Sequence, residues 1–521
     1  MFKKIFMLFK IGRKLTASGA ISSIYEIHEP PALIKIIFFI IGFNFHKKKD
    51  ENNLPAEVKL CNALQGMGTT FIKLGQFLST RPDIIGKNIA KELEKLQDKL
   101  PAFDLNIAQN ILKKELGDEI FSKIRNISEP IAAASIAQVH FANINVDGED
   151  KDVAIKILRP EIEKIFNEEL DALMLLAYII QSSVKKTQRL KLVEVVQLLR
   201  EITNVEMDLR FEAAAANEFY ENTKNDLGFK VPKIYWNFTS KKILCLSKID
   251  EISIREVEKL KSLGVDTNKL AKNIIQSFLK HAVRDGFFHA DMHQGNIFVN
   301  KNGDIVPVDF GIMGRLDKNN RKYLAEILYG FIKRDYKKVA DIHFLAGLVP
   351  HDVSRDEFAQ ALRSIGEPIF GQSVKNISGS KLLSQLFNVT ERFNMQTQIQ
   401  LLLLQKTMVV VEGVARKLDP ETNIWEISRP VLEEWLKDIK DPINLAGEAI
   451  NKANEVLKRL PDLPIIMDKA NDVMNLMTEG KFNPNTMAYH SLRNEELKLE
   501  IMRNKILGGF LILVIFVVIV F

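Results

Sequence analysis

Cysteine is nearly absent from this chain of 521 residues: Cys61 and Cys245 are the only two. Two thiols cannot build a disulfide framework or a cysteine-rich zinc site. A reducing compartment is expected, with both side chains acting as small buried apolar groups. Tryptophan (3) and tyrosine (8) are scarce beside 32 phenylalanines, a compositional bias without functional content. Neither sign of charge dominates: 72 Lys and Arg against 66 Asp and Glu leave +6. That permits contact with anionic lipid or phosphate but does not argue for nucleic acid. No G-x-G-x-x-G occurs, and Gly66-Met67-Gly68 lacks the third glycine, which removes the main support for a flavin or nicotinamide enzyme. At 46% hydrophobic and 26% charged residues the chain is neither disordered nor collagenous. At about 100–200 residues per domain its length allows several domains. No tandem repeat is visible.

Apolar runs are concentrated near the ends. At the N-terminus, Lys3, Lys4, Lys10, Arg13 and Lys14 interleave with Phe2, Ile5, Phe6, Leu8, Phe9 and Ile11. Lys10 breaks the apolar core that a cleaved signal peptide needs. The pattern fits a basic amphipathic helix on a membrane surface, or equally an ordinary surface helix. Leu33–Phe43 is apolar but too short to span a bilayer and carries Lys35. Ile506–Phe521 has no charged side chain. As a helix it would cover roughly 24 Å of a hydrocarbon core about 30 Å thick. Having no polar face, it is expected to be a membrane anchor helped by snorkelling from Arg503 and Lys505. Arg493, Lys498, Arg503 and Lys505 precede it and place the bulk of the chain on the cytoplasmic side.

Between the ends the periodicity is mixed. Leu54–Asp118 reads as helical, with breaks at Arg81-Pro82-Asp83 and Leu100-Pro101. Ile131–Leu158 shifts toward strands about a turn over Ile144–Gly148. Pro160–Glu221 is helical again, and Phe229–Ile249 reads as short strands with a turn at Lys241-Lys242. Asn268–Gly286 is an amphipathic helix. Asn296–Gly311 predicts a hairpin about Asn302-Gly303. The rest, to about residue 505, is almost wholly helical. The expected class is α+β with a large helical excess.

The strongest chemical signal is His289-Ala290-Asp291-Met292-His293-Gln294-Gly295-Asn296, followed by Val308-Asp309-Phe310-Gly311. It resembles the protein-kinase catalytic loop and its D-F-G metal motif. Phosphoryl transfer needs magnesium held by hard oxygen ligands and a carboxylate placed at the nucleophile. A hairpin between Asn296 and Asp309 would bring two such ligands to one spot. The competing reading of His289, Asp291 and His293 as transition-metal ligands leaves Asn296 and Asp309 unexplained. Val153-Ala154-Ile155-Lys156 matches the strand lysine that pairs with nucleotide phosphates. Spacing alone leaves Glu168 and Glu169 open as its partners.

Three further stretches, together with these, resemble the UbiB family of protein-kinase-like proteins tied to ubiquinone biosynthesis. They are Phe71-Ile72-Lys73-Leu74-Gly75-Gln76 with the residues to Asp83 and Leu96-Gln97-Asp98; the alanine-rich loop Ala132-Ala133-Ala134-Ser135-Ile136-Ala137-Gln138-Val139-His140; and Glu206-Met207-Asp208-Leu209-Arg210-Phe211-Glu212. The resemblance covers roughly residues 55–350 and implies a two-lobe kinase-like fold using ATP and Mg²⁺. It implies that Lys156 binds phosphates and pairs with Glu212. Asp291 would sit at the catalytic-base position, and Asn296 and Asp309 would hold magnesium. The loop Ala132–His140 would line the nucleotide site. Lys73 and Gln76 would fold over it and contact Glu206 and Asp208. Departures from general kinases are Ala290 in place of an arginine, no A-P-E segment after Gly311, and no acidic residue in Leu244–Lys248, where a hinge is expected. One C-terminal span is seen where the family often has two.

The expected layout is a membrane-associating segment (1–50), a helical extension with the lid (51–125), a kinase-like N-lobe with inserted helices (126–250) and a C-lobe with the catalytic loop (251–350). A helical region (351–505) and a transmembrane anchor (506–521) follow. The implied partners are membrane lipid, a quinone-precursor lipid and other ubiquinone-biosynthesis enzymes, with no nucleic acid, at a bacterial inner membrane. Two rivals differ in class. A 2-polyprenylphenol 6-hydroxylase would purify with a redox centre such as flavin. A nucleotide-binding pseudokinase scaffold would bind without turnover.

Overall fold

The computed structural model describes residues 2–20, 54–79, 85–96, 100–183, 191–249, 251–370 and 399–440, with the single positions 23, 389, 392, 393 and 395. The segment Leu33–Phe43, the Arg81-Pro82-Asp83 break, Gln97-Asp98 and the expected anchor Ile506–Phe521 lie outside the described residues. Among the described residues no helix is long and apolar enough to cross a membrane.

Helix α1 (Phe2–Ala17) is followed by α2 (Ala56–Gly66), α3 (Thr69–Ser79), α4 (Lys87–Leu93) and α5 (Leu105–Phe121). Leu8 and Ile11 of α1 are buried, and Lys14 reaches Glu169 at 3.6 Å. Leu8 and Ile11 of the apolar stripe of α1 are therefore spent on the protein core, while Phe6 stays exposed.

A five-stranded antiparallel sheet forms the first lobe. It comprises β1 (Ile124–Arg125), β2 (Ala132–Ala133), β3 (Ala137–Val146), β4 (Glu149–Leu158) and, after three inserted helices, β5 (Ile243–Ser247). The order is β1-β3-β4-β5, with β2 also paired to β3. The inserted helices are α6 (Ile162–Ser183), α7 (Leu192–Glu206) and α8 (Leu209–Thr223). The β3–β4 turn is shorter than the periodicity implied: pairing runs to Val146↔Glu149. Asp147 and Gly148, with φ of 52° and 88°, make the tight turn that suits a twisted hairpin. Side chains alternate along β4. Val153, Ile155 and Ile157 pack with Ala108 and Leu112 of α5, and with Cys245. Lys156 is thereby turned to the opposite face.

The stretch from Phe229 to Ile249 holds one named strand rather than several. Phe229↔Ile305 and Ile234↔Leu246 are isolated bridges, and Trp236–Phe238 is a 3₁₀ turn. Pro232 has no N–H to extend a ladder there. Leu244 and Cys245 are fully buried inside β5, with Leu244 paired to Lys156. The region expected as a hinge is thus mostly strand, and the crossing to the second lobe starts beyond Ser247.

The second lobe contains β6 (Ile252–Ser253), α9 (Val257–Ser262), α10 (Thr267–Lys280), β7 (Phe287–His289), β8 (Ile297–Val299), β9 (Ile305–Pro307) and β10 (Met313–Arg315). Among the described residues five helices follow: α11 (Lys318–Ile332), α12 (Tyr336–Leu345), α13 (Arg355–Phe370), α14 (Ile399–Leu418) and α15 (Ile424–Lys440). Asp266 caps α10 by accepting from the amides of Asn268 and Lys269, satisfying two of its free N–H groups. Its stripe of Leu270, Ala271, Ile274, Ile275 and Phe278 is buried. The helix ends through a π turn, His281–Asp285, into Gly286 at φ 66°. A Cβ there would lie 2.4 Å from the Leu316 carbonyl. Asp226, just past α8, ties α8 to this turn by accepting from Lys280, His281 and Arg284 at 2.6–3.1 Å.

Candidate functional site

The hairpin expected between the two motifs is present. Ile297 pairs with Pro307, and Val299 pairs with Ile305. The Val308 amide donates to the Asn296 carbonyl at 2.8 Å. Asn296 thus enters one strand just where Asp309 leaves the other. Asp309 has φ 63°, a left-handed conformation that is uncommon outside glycine and typical of sites where the fold constrains the chain.

Lys156 reaches this point from β4. Its Nζ donates to both Glu212 carboxylate oxygens at 2.9 Å and to Asp309 Oδ1 at 3.2 Å. Glu212 is brought there by the buried stripe of α8, Leu209, Glu212, Ala213, Ala216 and Phe219, at helical spacing. The choice that spacing left open is settled by contact, since Glu169 is instead the partner of Lys14. Burial works against the Lys156 ammonium, but Asp309 and Glu212 outweigh it and hold its pKa above the ordinary lysine range. Burial pushes the Glu212 carboxyl up to about 7 against the pull of Lys156, and the Asp309 charge adds to the rise. Lys156 holds Asp309 well below the usual carboxylate range, outweighing the opposite push of burial, with a smaller pull from Lys73.

The catalytic-loop residues are locked to one another. His289 Nε2 lies 3.1 Å from the Val308 carbonyl, and its Nδ1 accepts from the Asp291 amide at 3.2 Å. Those partners assign the Nε2–H tautomer, and burial keeps the ring neutral by lowering its pKa. With both nitrogens used inside the protein, His289 is not a metal ligand. Asn296 Nδ2 donates to the Asp291 carbonyl at 3.1 Å and to Asp291 Oδ2 at 3.3 Å. Phe310 is buried against Phe219 of α8 and His289, with ring centroids 6.2 and 5.6 Å apart. After Gly311 the chain enters β10 almost at once, with Met313 pairing to His289. Helix α11 begins at Lys318. No activation segment intervenes.

Two curated relatives cover most of this chain. A probable protein kinase UbiB from Marinobacter nauticus is 35% identical over 473 residues, 90% of this chain and 85% of that protein. One from Histophilus somni is 40% identical over 400 residues, 76% of this chain and 74% of that protein. The chain belongs to the UbiB family. Residues 95–343 match the ABC1 atypical kinase-like domain, and residues 362–423 match the UbiB helical domain. A solved structure of Rv3197 with erythromycin from Mycobacterium tuberculosis aligns at TM-score 0.46 and 22% identity, over 69% of this chain and 90% of that one. A match that loose carries no argument.

The alanine loop of this UbiB-family chain is a small hairpin, with Ala132 opposite Val139 and Ala133 opposite Gln138. Ala132 is exposed, Ala133, Ala134 and Val139 are half-buried, and Ser135, Ile136 and Ala137 are buried. The side chains of Gln138 and His140 do not line an open cleft: both are fully buried. Gln138 accepts from the Phe103 amide at 2.9 Å and donates to its carbonyl at 3.1 Å. It also meets His140 Nε2 at 2.9 Å, while His140 Nδ1 lies 2.8 Å from the Ser128 carbonyl. Such an interlocked polar pair can sit in a core because every group is satisfied. Just past β4, Arg159 adds a clamp to the Ala134 carbonyl at 2.9 Å and the Pro101 carbonyl at 2.9 Å. No motif marks Arg159, and sequence reading missed it.

Helix α3 carries the expected lid residues. Lys73 Nζ lies 3.0 Å from Glu206 Oε2, both side chains being largely buried. Gln76 Nε2 donates to the Leu96 carbonyl at 3.5 Å. Asp208, paired with Lys73 in expectation, caps α8: it accepts from the Arg210 amide and takes the Arg210 guanidinium at 2.9 and 2.6 Å. Thr69 Oγ1 donates to the Ser135 carbonyl at 3.0 Å, so the start of α3 is fastened directly to the alanine loop.

Proposed function

We propose that this UbiB-family protein binds Mg-ATP and turns it over as an atypical kinase or ATPase that supports ubiquinone biosynthesis. The observation that carries this reading is the meeting of Lys156 with both Glu212 and Asp309, at a hairpin whose other strand starts at Asn296. The donor chemistry fits the cofactor. The Asn296 carboxamide oxygen and the Asp309 carboxylate are hard ligands suited to Mg²⁺, and Lys156 offers one cation to nucleotide phosphates. When bound, the metal neutralises charge on the transferring phosphoryl group.

The chain's own residues then have distinct tasks. Glu212 holds the Lys156 ammonium in place. Asp291, oriented by Asn296 and His289, accepts the proton of the incoming nucleophile. The Ala132–His140 loop covers the phosphates with its backbone, its approach restricted by the alanine Cβ atoms. Lys73, Gln76, Glu206 and Asp208 hold the lid and its seat. With no activation segment between Gly311 and α11, there is no platform for a peptide. Turnover is directed to a small molecule, water or the protein itself. The test is magnesium-dependent ATP hydrolysis: Asp309→Asn, which removes a charged ligand, is expected to abolish it, and Asn296→Ala to weaken it. Unchanged hydrolysis in Asp309→Asn would overturn the assignment.

The membrane part of the reading rests on sequence. Ile506–Phe521 anchors the protein, with the bulk on the cytoplasmic side of a bacterial inner membrane, near quinone-precursor lipid and other ubiquinone-biosynthesis enzymes. Truncation before Ile506 is expected to release most of the protein from membranes in high salt. Retention of the truncated form in that fraction would show that another segment anchors it.

A further inference from the structure

The peptide groups around Asp291 are fixed by three side chains. His289 takes the Asp291 amide, and Asn296 donates to the Asp291 carbonyl. Both belong to the catalytic-loop motif. The third is Thr407 of α14, whose Oγ1 lies 2.9 Å from the Ala290 carbonyl and 2.8 Å from the Leu403 carbonyl. One hydroxyl proton serves these two acceptors, one in its own helix and one in the loop. Thr407 is 1% exposed and Ala290 is 5% exposed, so no water replaces the contact. On the same helix, Lys417 Nζ reaches Gln294 Oε1 at 3.0 Å. The loop Ala290–Gln294 is therefore held at both ends by one helix of the domain that follows the kinase-like part.

We propose that Thr407 is a positioning residue for Asp291, acting through the Ala290 carbonyl, and that α14 is a working part of the catalytic loop. The proposal rests on the reading of Asp291 as the base in nucleotide turnover. The Ala290–Asp291 peptide plane sets where the Asp291 side chain starts. Misplacement by about 1 Å at a reacting group can cost on the order of 10²-fold in rate. Nucleotide binding depends instead on Lys156, Asn296 and Asp309, whereas the Thr407 hydroxyl bonds to the Ala290 and Leu403 carbonyls.

The experiment compares Thr407→Val, which keeps the branched shape and removes the donor, with Thr407→Ser, which restores the donor. In the full-length protein, Thr407→Val is expected to lower kcat for ATP hydrolysis about 10- to 100-fold with the Kd for a fluorescent ATP analogue unchanged. Thr407→Ser is expected to recover most of the rate. Hydrogen exchange of the peptides covering residues 287–296 is expected to quicken in Thr407→Val alone. An unchanged kcat would overturn the proposal, and so would a parallel loss of kcat, nucleotide affinity and melting temperature, which would mark Thr407 as a packing residue. If the wild type hydrolyses no ATP, the functional reading fails on its own. The exchange data then decide the proposal: faster exchange confined to 287–296 supports it, and unchanged exchange overturns it.

Discussion

At the scale of single residues, the same side-chain type serves opposite ends depending on burial and partners. Lys156, Glu212 and Asp309 share one small volume and shift each other's protonation. Gln138 and His140, at the end of the alanine-rich loop, are spent on structure. Truncating Gln138 to Ala leaves the Phe103 amide and carbonyl and one His140 nitrogen buried without partners, at a cost of about 1–3 kcal/mol. Gln138→Ala is therefore expected to lower the melting temperature while leaving the Kd for an ATP analogue near that of wild type. A large loss of affinity at unchanged stability would assign Gln138 to the nucleotide. That Lys156 meets Asp309, and Asn296 meets Asp291, was legible in sequence because the kinase-like motifs set the types, order and spacing of these residues. Glu212 was legible only through resemblance, since nothing in spacing favours it over Glu169. Arg159 and Thr407 were not legible at all. They act through backbone carbonyls distant in sequence, and a carbonyl leaves no mark in a side-chain code.

At the scale of elements, the hairpins were readable where Asp or Gly supplied positive φ, as at Asp147-Gly148 and at Gly303. The short strands β1, β6, β7 and β10 were not, because two or three residues give no period to detect. The lid helix α3 shows what sequence and structure each contribute. Its apolar run buries Phe71 and Ile72, its lone cation Lys73 meets Glu206, and its first turn is fastened to the loop by Thr69. On the proposed function, a helix held at both its start and its middle acts as a fixed cover. Wild-type protein is expected to transfer little radiolabel from ATP to generic acceptor proteins. Lys73→Ala, which frees Glu206, is expected to raise self-labelling. Efficient labelling of generic acceptors by the wild type would show that the cleft is open.

At the scale of the whole molecule, the two kinase-like lobes are joined by more than the chain that runs from β5 to β6. Helix α8 bridges from Lys156 to the DFG phenylalanine through Glu212 and Phe219, and Asp226 fastens its end to α10. The helical region closes over the catalytic loop through α14. Buried histidines are expected to make this assembly acid-sensitive. Burial pushes His343 down to about 4, while its unfolded value is about 6.5. The unfolded chain then binds more protons between those values. Stability from this group is complete above about pH 6.5 and is lost as pH falls toward 4, by about 3 kcal/mol. His281 and His289 shift in the same direction. Denaturant melts between pH 7 and pH 4.5 are expected to show falling stability, with a shallower fall in His343→Phe. An equal slope in both proteins would remove His343 from the account. The central claim is that Lys156, Asn296 and Asp309 form a working nucleotide site. Magnesium-dependent phosphate release from ATP by purified wild type beside Asp309→Asn tests it most directly. The account predicts release from the wild type that stops on chelation of Mg²⁺ and is absent in Asp309→Asn. Equal release from the two proteins, or none from either, would contradict it.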